Sequence, residues 1–267
     1  VTIVKLLAGA VMFGCAAGLV RADDGGAGLA TTVAPSGRLR AAINFGNPVL
    51  AQRGADGAPR GVSVDLAREL GRRIGVPIDF VTFDAAGKVT EALQRDAWDV
   101  AFLARDPGRA ESIAFTPPYV VIEGTYLVKR DAPFQSVDDL DRDGVRVTVA
   151  RGSAYDLFLS RALKHAQLLR FDTGVDAMAA FGAGQGDAAA GVKQALAAFG
   201  SSHPDLRLVP GRFMAIEQAV ALPKAHASAA ASAFLQRFIE EMKSSGFVAR
   251  SLGASGQTDA TVAPPAP

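Results

Sequence analysis

Residues 97–119 read AWDVAFLARDPGRAESIAFTPPY, and the changes of character within this stretch decide the fold. The apolar run Val100-Ala101-Phe102-Leu103 has the length and composition of a buried strand. It breaks at Arg105-Asp106-Pro107-Gly108-Arg109, where Pro and Gly interrupt regular structure. Extended chain then resumes as far as Pro117-Pro118-Tyr119. Two guanidinium groups therefore stand at the mouth of an apolar strand, a position that calls for a chemical reason.

Upstream, the pattern is a regular alternation. RLRAAIN (38–44) predicts a strand and leads into a loop, FGNPVLAQRGADGAPRG, rich in turn signals. Val62, Leu66, Leu70 and Ile74 recur every four residues, the stripe of an amphipathic helix, with Arg68, Glu69, Arg72 and Arg73 on the other face. Gly75 suits a C-terminal cap and Pro77 forbids continuation. PIDFVTF (77–83) predicts a second strand, GKVTEALQR (87–95) a second helix and WDVAFLA (98–104) a third strand.

Downstream the scheme repeats. VRVTVA (145–150), LLRF (168–171) and GDAAAG (186–191) are strand-like, while SAYDLFLSRAL (153–163), VDAMAAF (175–181) and VKQALAAFG (192–200) are helical. GTYLVKRDAP (124–133) and EQAVALPK (217–224) are extended crossings, and an amphipathic helix covers 227–245. The expected architecture is two α/β lobes, one from residues 37–128 and 222–253 and one from 129–221. A ligand cleft lies between them, where strand C-termini and helix N-termini converge.

The ends differ in composition. Lys5, the apolar run LLAGAVMFGCAAGLV and Arg21-Ala22 read as a secretory signal over residues 1–22, cleaved near Ala22-Asp23. Cys15, the only cysteine, leaves with it, although a lipidation site is the alternative for this thiol. An exported chain without thiols suits an oxidising compartment. Residues 23–36 are Gly/Ala/Thr-rich and are expected to form a flexible leader; residues 254–267 are expected to form a disordered tail.

With 49% hydrophobic and 21% charged residues and a net charge of +1, the chain carries no basic surface for nucleic acid. His165, His203 and His226 are scattered without metal-ligand spacing. GAGQGD (182–187) ends a helix and precedes a strand, the reverse of a dinucleotide-binding loop.

Five segments in order, Gly61–Ala67 (GVSVDLA), Asp106–Ala110 (DPGRA), Phe115–Tyr119 (FTPPY), ARGSAYD (150–156) and AVALPK (219–224), resemble the extracellular solute-binding proteins of family 3. The resemblance runs from about residue 38 to about residue 250. It implies the type II periplasmic-binding-protein fold, two α/β lobes joined by two crossover strands. It also implies a non-catalytic periplasmic receptor that hands a small carboxylate-bearing ligand to a membrane ABC permease. A monomer without cofactor or nucleic-acid partner is expected.

The resemblance makes Arg109 the ligand for the solute carboxylate, a task suited to a planar two-pronged donor. Arg151, Gly152 and Ser153, between a strand and a helix, would receive the same carboxylate, with Ser153 also a natural N-cap. Asn44, Phe45 and Asn47 follow the first strand, where the family contacts solute. Two departures bear on the ligand. Ala104 occupies the place of a hydroxyl donor, and Val192, followed by Lys193, that of the aspartate which holds an α-ammonium. An organic acid met by Arg109 together with Arg151 or Lys193 fits these changes; Glu123 or Glu217 could instead supply the missing negative charge. An exported dehydratase resembling cyclohexadienyl dehydratase, with Glu123 or Glu217 as acid or base, is the alternative on the same scaffold.

Overall fold

The computed structural model describes residues 24–267, so the proposed signal segment and Cys15 lie outside the described residues. The described residues begin with α1 (Asp24–Val33) and β1 (Leu39–Asn44), followed by a small hairpin of β2 (Gln52–Arg53) and β3 (Pro59–Arg60). Next come α2 (Val62–Ile74), β4 (Ile78–Phe83), α3 (Ala86–Ala92) and β5 (Val100–Ala104). A 17-residue strand, β6 (Ile113–Lys129), leaves this unit. The second unit contains β7 (Arg146–Ala150), α4 (Ala154–Ala162), β8 (Gln167–Phe171), α5 (Gly174–Gly182), β9 (Ala188–Val192), α6 (Lys193–Ser201) and β10 (Leu206–Leu208). The return strand β11 (Met214–Pro223) leads to α7 (Ala229–Ser244), α8 (Phe247–Ala254) and a short β12 (Thr261–Val262).

The main sheet runs β4-β1-β5-β11-β6-β9-β7-β8, with β10 and β12 also paired to β6. β1 is parallel to β4 and β5, and β7 is parallel to β8 and β9. The two parallel units flank the antiparallel pair β6 and β11, which carries the chain across and back. At roughly 3.3 Å per residue, β6 is about 55 Å long, enough to belong to both lobes. It pairs with β11 up to Gly124 and with β9 from Gly124 onward, and β11 joins β5 only from Gln218. The lobe boundaries expected at 128/129 and 221/222 thus fall inside continuous strands, past the points where partners change. Composition along an unbroken strand carries no mark of such a change.

Local chemistry explains the elements. The α2 stripe Val62, Leu66, Leu70 and Ile74 is buried, and the Gly75 N–H donates to the Gly71 carbonyl to end the helix. On its outer face Glu69 binds Arg72 and Arg73, and Arg73 reaches Glu241 of α7 at 2.6 Å. Trp98 is fully buried with its indole N–H satisfied by the Val89 carbonyl at 2.9 Å, as a buried indole requires. The Asp99 carboxylate, also buried, accepts from the backbone and side chain of Arg40.

Both chain ends depart from expectation. Residues 24–33 form α1 rather than a flexible leader, because Leu29, Ala30, Val33 and Ala34 share one helical face and pack on the lobe-one core. The tail is ordered too. Thr261 and Val262 pair with Val121 and Val120 of β6, the Ala263 N–H donates to the Tyr119 carbonyl, and Lys243 Nζ donates to the Pro264 carbonyl. A bare strand edge offers unpaired backbone groups, and this segment covers it. Deleting residues 259–267 is expected to lower stability by about 2 kcal/mol, at roughly 1 kcal/mol per lost hydrogen bond. Urea unfolding measures this; an unchanged midpoint would show that the tail contributes nothing. No described helix is long and apolar enough to cross a membrane.

Candidate functional site

A narrow cleft, with about 40 Å³ of room for the centres of water-sized molecules, lies where the two parallel units meet. Its floor is the end of β5 (Phe102, Leu103, Ala104) together with Ile216 and Gln218 of β11. Lobe one adds Asn44 and Asn47 after β1, and Asp84, Ala85 and Ala86 at the start of α3; lobe two adds Ala150, Ser153, Ala154 and Tyr155, with Gly174 and Val192. Strand C-terminal ends from both lobes thus face one another, the usual position for a ligand in open α/β sheets.

Arg109 occupies the centre of this arrangement. The Asp106 carboxylate accepts from the backbone N–H groups of Gly108 and Arg109 at 2.9 and 3.3 Å and so holds the turn that aims the arginine inward. The Arg109 side chain is buried, only 3% exposed. Its Nη1 donates to the Ala104 carbonyl at 3.0 Å and its Nη2 to the Gly152 carbonyl of the opposite lobe at 2.8 Å. Its Nε has no partner. Burial pushes the guanidinium down to about 10, against a weaker upward pull from Asp106. Arg38, Arg40, Arg72 and Arg73, each hydrogen-bonded to a carboxylate, shift upward instead. Arg109 is a buried cation held by neutral carbonyls, and an anion is what it lacks.

The facing wall of lobe two is built around the start of α4. Ser153 Oγ caps the helix by accepting from the Asp156 N–H at 3.0 Å. Asp156 in turn accepts from the Gly152 N–H at 2.8 Å and from Arg170 at 2.9 Å. Gly152 sits at φ 66, a left-handed conformation open to glycine at little cost. Burial pushes the Tyr155 hydroxyl up to about 12, with bonds to Ser153 and Ala150 pulling the other way, so it remains a proton donor. The lobes touch outside the cleft as well, through Arg161 of α4 and Asp106 at 2.6 Å.

Of the residues singled out in the sequence, Arg109, Asn44, Asn47, Ala104, Ser153 and Val192 line the cleft. The Asn44 side chain accepts from the Gly46 N–H, whereas buried Asn47 leaves its Oδ1 without a partner. Gly152 contributes a carbonyl to Arg109 rather than an N–H to an anion. Five expectations are corrected. Phe45 packs on the lobe-one core under the Arg53 guanidinium, 4.2 Å from its ring centre. Arg151 is exposed and reaches the Arg170 carbonyl at 3.5 Å. Lys193 turns away to pair with Glu123 at 2.9 Å, and Arg212 joins them at 3.1 Å. Glu217 is paired with Arg105 at 3.0 Å. No second cation from Arg151 or Lys193 lines the cleft, and neither glutamate is available there as a charge partner, acid or base. Val192 ends β9 and Lys193 opens α6, so the two side chains leave the backbone in different directions and only Val192 lines the cleft.

Asp84, Phe102, Tyr155 and Gln218 line the cleft without having been singled out. Asp84 directly follows the strand 77–83, so its position after a strand was a usable signal. Lys88, 2.9 Å away, holds its carboxyl below the usual range. Among the described residues no group of three His, Cys, Asp or Glu side chains could hold a metal.

Two α/β units on a shared pair of crossing strands, with a cleft between them, define a two-lobed solute-binding protein of the type II fold. The chain belongs to the bacterial extracellular solute-binding proteins, family 3, whose model matches residues 39–252. It is 27% identical over 175 residues to the glutamate-binding protein GluB of Corynebacterium efficiens, a match covering 62% of this chain and 59% of that one. Among solved structures, a mutant of ArgBP from T. maritima superposes with a TM-score of 0.73 at 24% identity, covering 85% of this chain and 99% of the other. The cysteine-binding protein from Campylobacter jejuni superposes with a TM-score of 0.72 at 20% identity, covering 85% and 92%. At these identities the two structures establish the fold alone, and each of the three relatives named is a binding protein.

Proposed function

We propose that the protein is an exported, non-catalytic receptor that captures a small carboxylate-bearing solute between its lobes and presents it to a membrane ABC permease. The observation that carries this reading is Arg109, a buried guanidinium with an unpaired Nε and no carboxylate partner, at the junction of both lobes. A solute carboxylate there completes the donor fork and neutralises the charge. Because the ligand touches lobe one through Arg109 and lobe two through the start of α4, it favours the closed arrangement through contacts that the open one lacks. Family membership and the binding proteins among its relatives support a receptor rather than an enzyme.

A melting-point screen of amino acids, hydroxy acids, oxo acids and dicarboxylates tests the reading, since a ligand confined to the folded state raises the midpoint. A carboxylate that raises the midpoint and contracts the molecule in small-angle scattering is the expected result. Failure of every carboxylate to do either overturns it.

A further inference from the structure

We infer that the cleft selects a net monoanion bearing a hydroxyl, a 2-hydroxy carboxylate, over the zwitterionic amino acid of the same skeleton. The inference rests on the receptor reading and names the solute class of that site.

Charge pairing carries the argument. The carboxylates that line or brace the cleft walls have cations: Asp84 has Lys88 at 2.9 Å, Asp106 has Arg161 at 2.6 Å, and Asp156 has Arg170 at 2.9 Å; Asp172 and Asp176, on either side of Gly174, are exposed and do not line it. Arg109 is the charge left over, and one carboxylate neutralises it. A zwitterion would also neutralise it, but would bring an ammonium with no free carboxylate among the residues lining the cleft to receive it. The walls next to Arg109 are Phe102, Ala104, Val192 and Ile216, all buried and apolar. Asp84, the one carboxylate lining the cleft, is exposed at its rim and bound to Lys88. An ammonium taken out of water on such terms is costly, whereas a neutral hydroxyl at the same carbon is not.

Asn47 supplies the second observation. Its buried Oδ1 has no hydrogen-bond partner, and its residue lines the same cleft. A carboxamide offers either its oxygen or its NH₂ to the ligand, depending on which way it is turned. The unpaired Oδ1 accepts from a hydroxyl as readily as from an ammonium, so a neutral hydroxyl meets this atom without bringing a second charge into the cleft.

The test uses matched pairs that differ only at the 2-position: L-lactate and L-alanine, L-2-hydroxyisovalerate and L-valine, L-2-hydroxyisocaproate and L-leucine. Calorimetric titration of the full chain at pH 7 is expected to favour the hydroxy acid of the best-fitting pair by about 30-fold or more. Val192→Asp, which places a carboxylate on the apolar wall, is expected to reverse the order. The wild-type comparison stands by itself should that variant fold poorly. An amino acid that binds as tightly as its hydroxy partner, or more tightly, overturns the inference. If that binding also needs Arg109, the receptor reading survives. If only other carboxylates of the screen bind, the inference falls and the receptor reading again survives. Absence of binding by any carboxylate removes both.

Discussion

Arg109→Met is expected to abolish solute capture while leaving the melting midpoint of the empty protein nearly where it was. Removing one partner of a buried, hydrogen-bonded charge pair costs about 2–5 kcal/mol, a loss of roughly 30-fold to several thousand-fold in affinity. Without ligand the balance is different. In the open, empty protein the substitution gives up the bond to the Ala104 carbonyl of the same lobe, worth about 1 kcal/mol; the bond to Gly152 of the other lobe belongs to the closed form. It also relieves the burial of a guanidinium that has been pushed down to about 10 for want of a carboxylate. The two effects oppose each other and are of similar size. Arg109→Lys, which keeps the charge but not the planar fork, should fall between wild type and Arg109→Met in affinity. Titration calorimetry and thermal denaturation of the three proteins decide the matter. A steep fall in the midpoint of the empty Arg109→Met protein would mean that the arginine is part of the scaffold.

Gly87→Ala is expected to prevent closure without harming the fold. Gly87 lies in the first turn of α3, and there a Cβ would come 2.6 Å from the Arg151 carbonyl oxygen and 3.3 Å from the Gly152 Cα. Both neighbours are backbone atoms of the other lobe, so no side chain can swing aside. Overpacking of this kind costs about 1–3 kcal/mol, and under the proposed closure it reads as a roughly 5- to 150-fold weaker affinity, because only a closed form brings these atoms together. In the open form the same methyl group favours α3 by up to about 1 kcal/mol, the ordinary helix preference of alanine over glycine. The empty variant should therefore melt at or slightly above the wild-type temperature, and its scattering radius should not contract when solute is added. Unchanged affinity with normal contraction would show that the lobes do not meet at Gly87 and Gly152 in the bound protein.

Both predictions depend on contacts between residues distant in sequence, and this sets the boundary of what local patterns can tell. The period-four stripe of α2, the apolar run of β5 and the Asp-Pro-Gly turn before Arg109 are each written within a dozen residues. Each records a local requirement: one buried face, a strand covered on both sides, a stop. Order along the chain then implied two similar units and a junction between them. The ends of the chain were harder to read. Nothing in the composition of residues 24–33 or 259–267 announces that they cover lobe-one surfaces, because those surfaces are built from other parts of the chain.

The amino-acid sequence by itself determined the α/β alternation and the two crossing strands, since helix period and strand composition are short-range, whereas Arg109 was singled out only through the resemblance to the family. The tertiary structure alone decided which of the nearby candidates line the cleft: Asn44 and not Phe45, Ser153 and not Arg151, Val192 and not Lys193. It also decided that Glu123 and Glu217 spend their charges on Lys193, Arg212 and Arg105 outside the cleft. The physical reason is that side-chain direction and charge pairing depend on strand register and on what the opposite lobe presents, and neither exists until the two units meet.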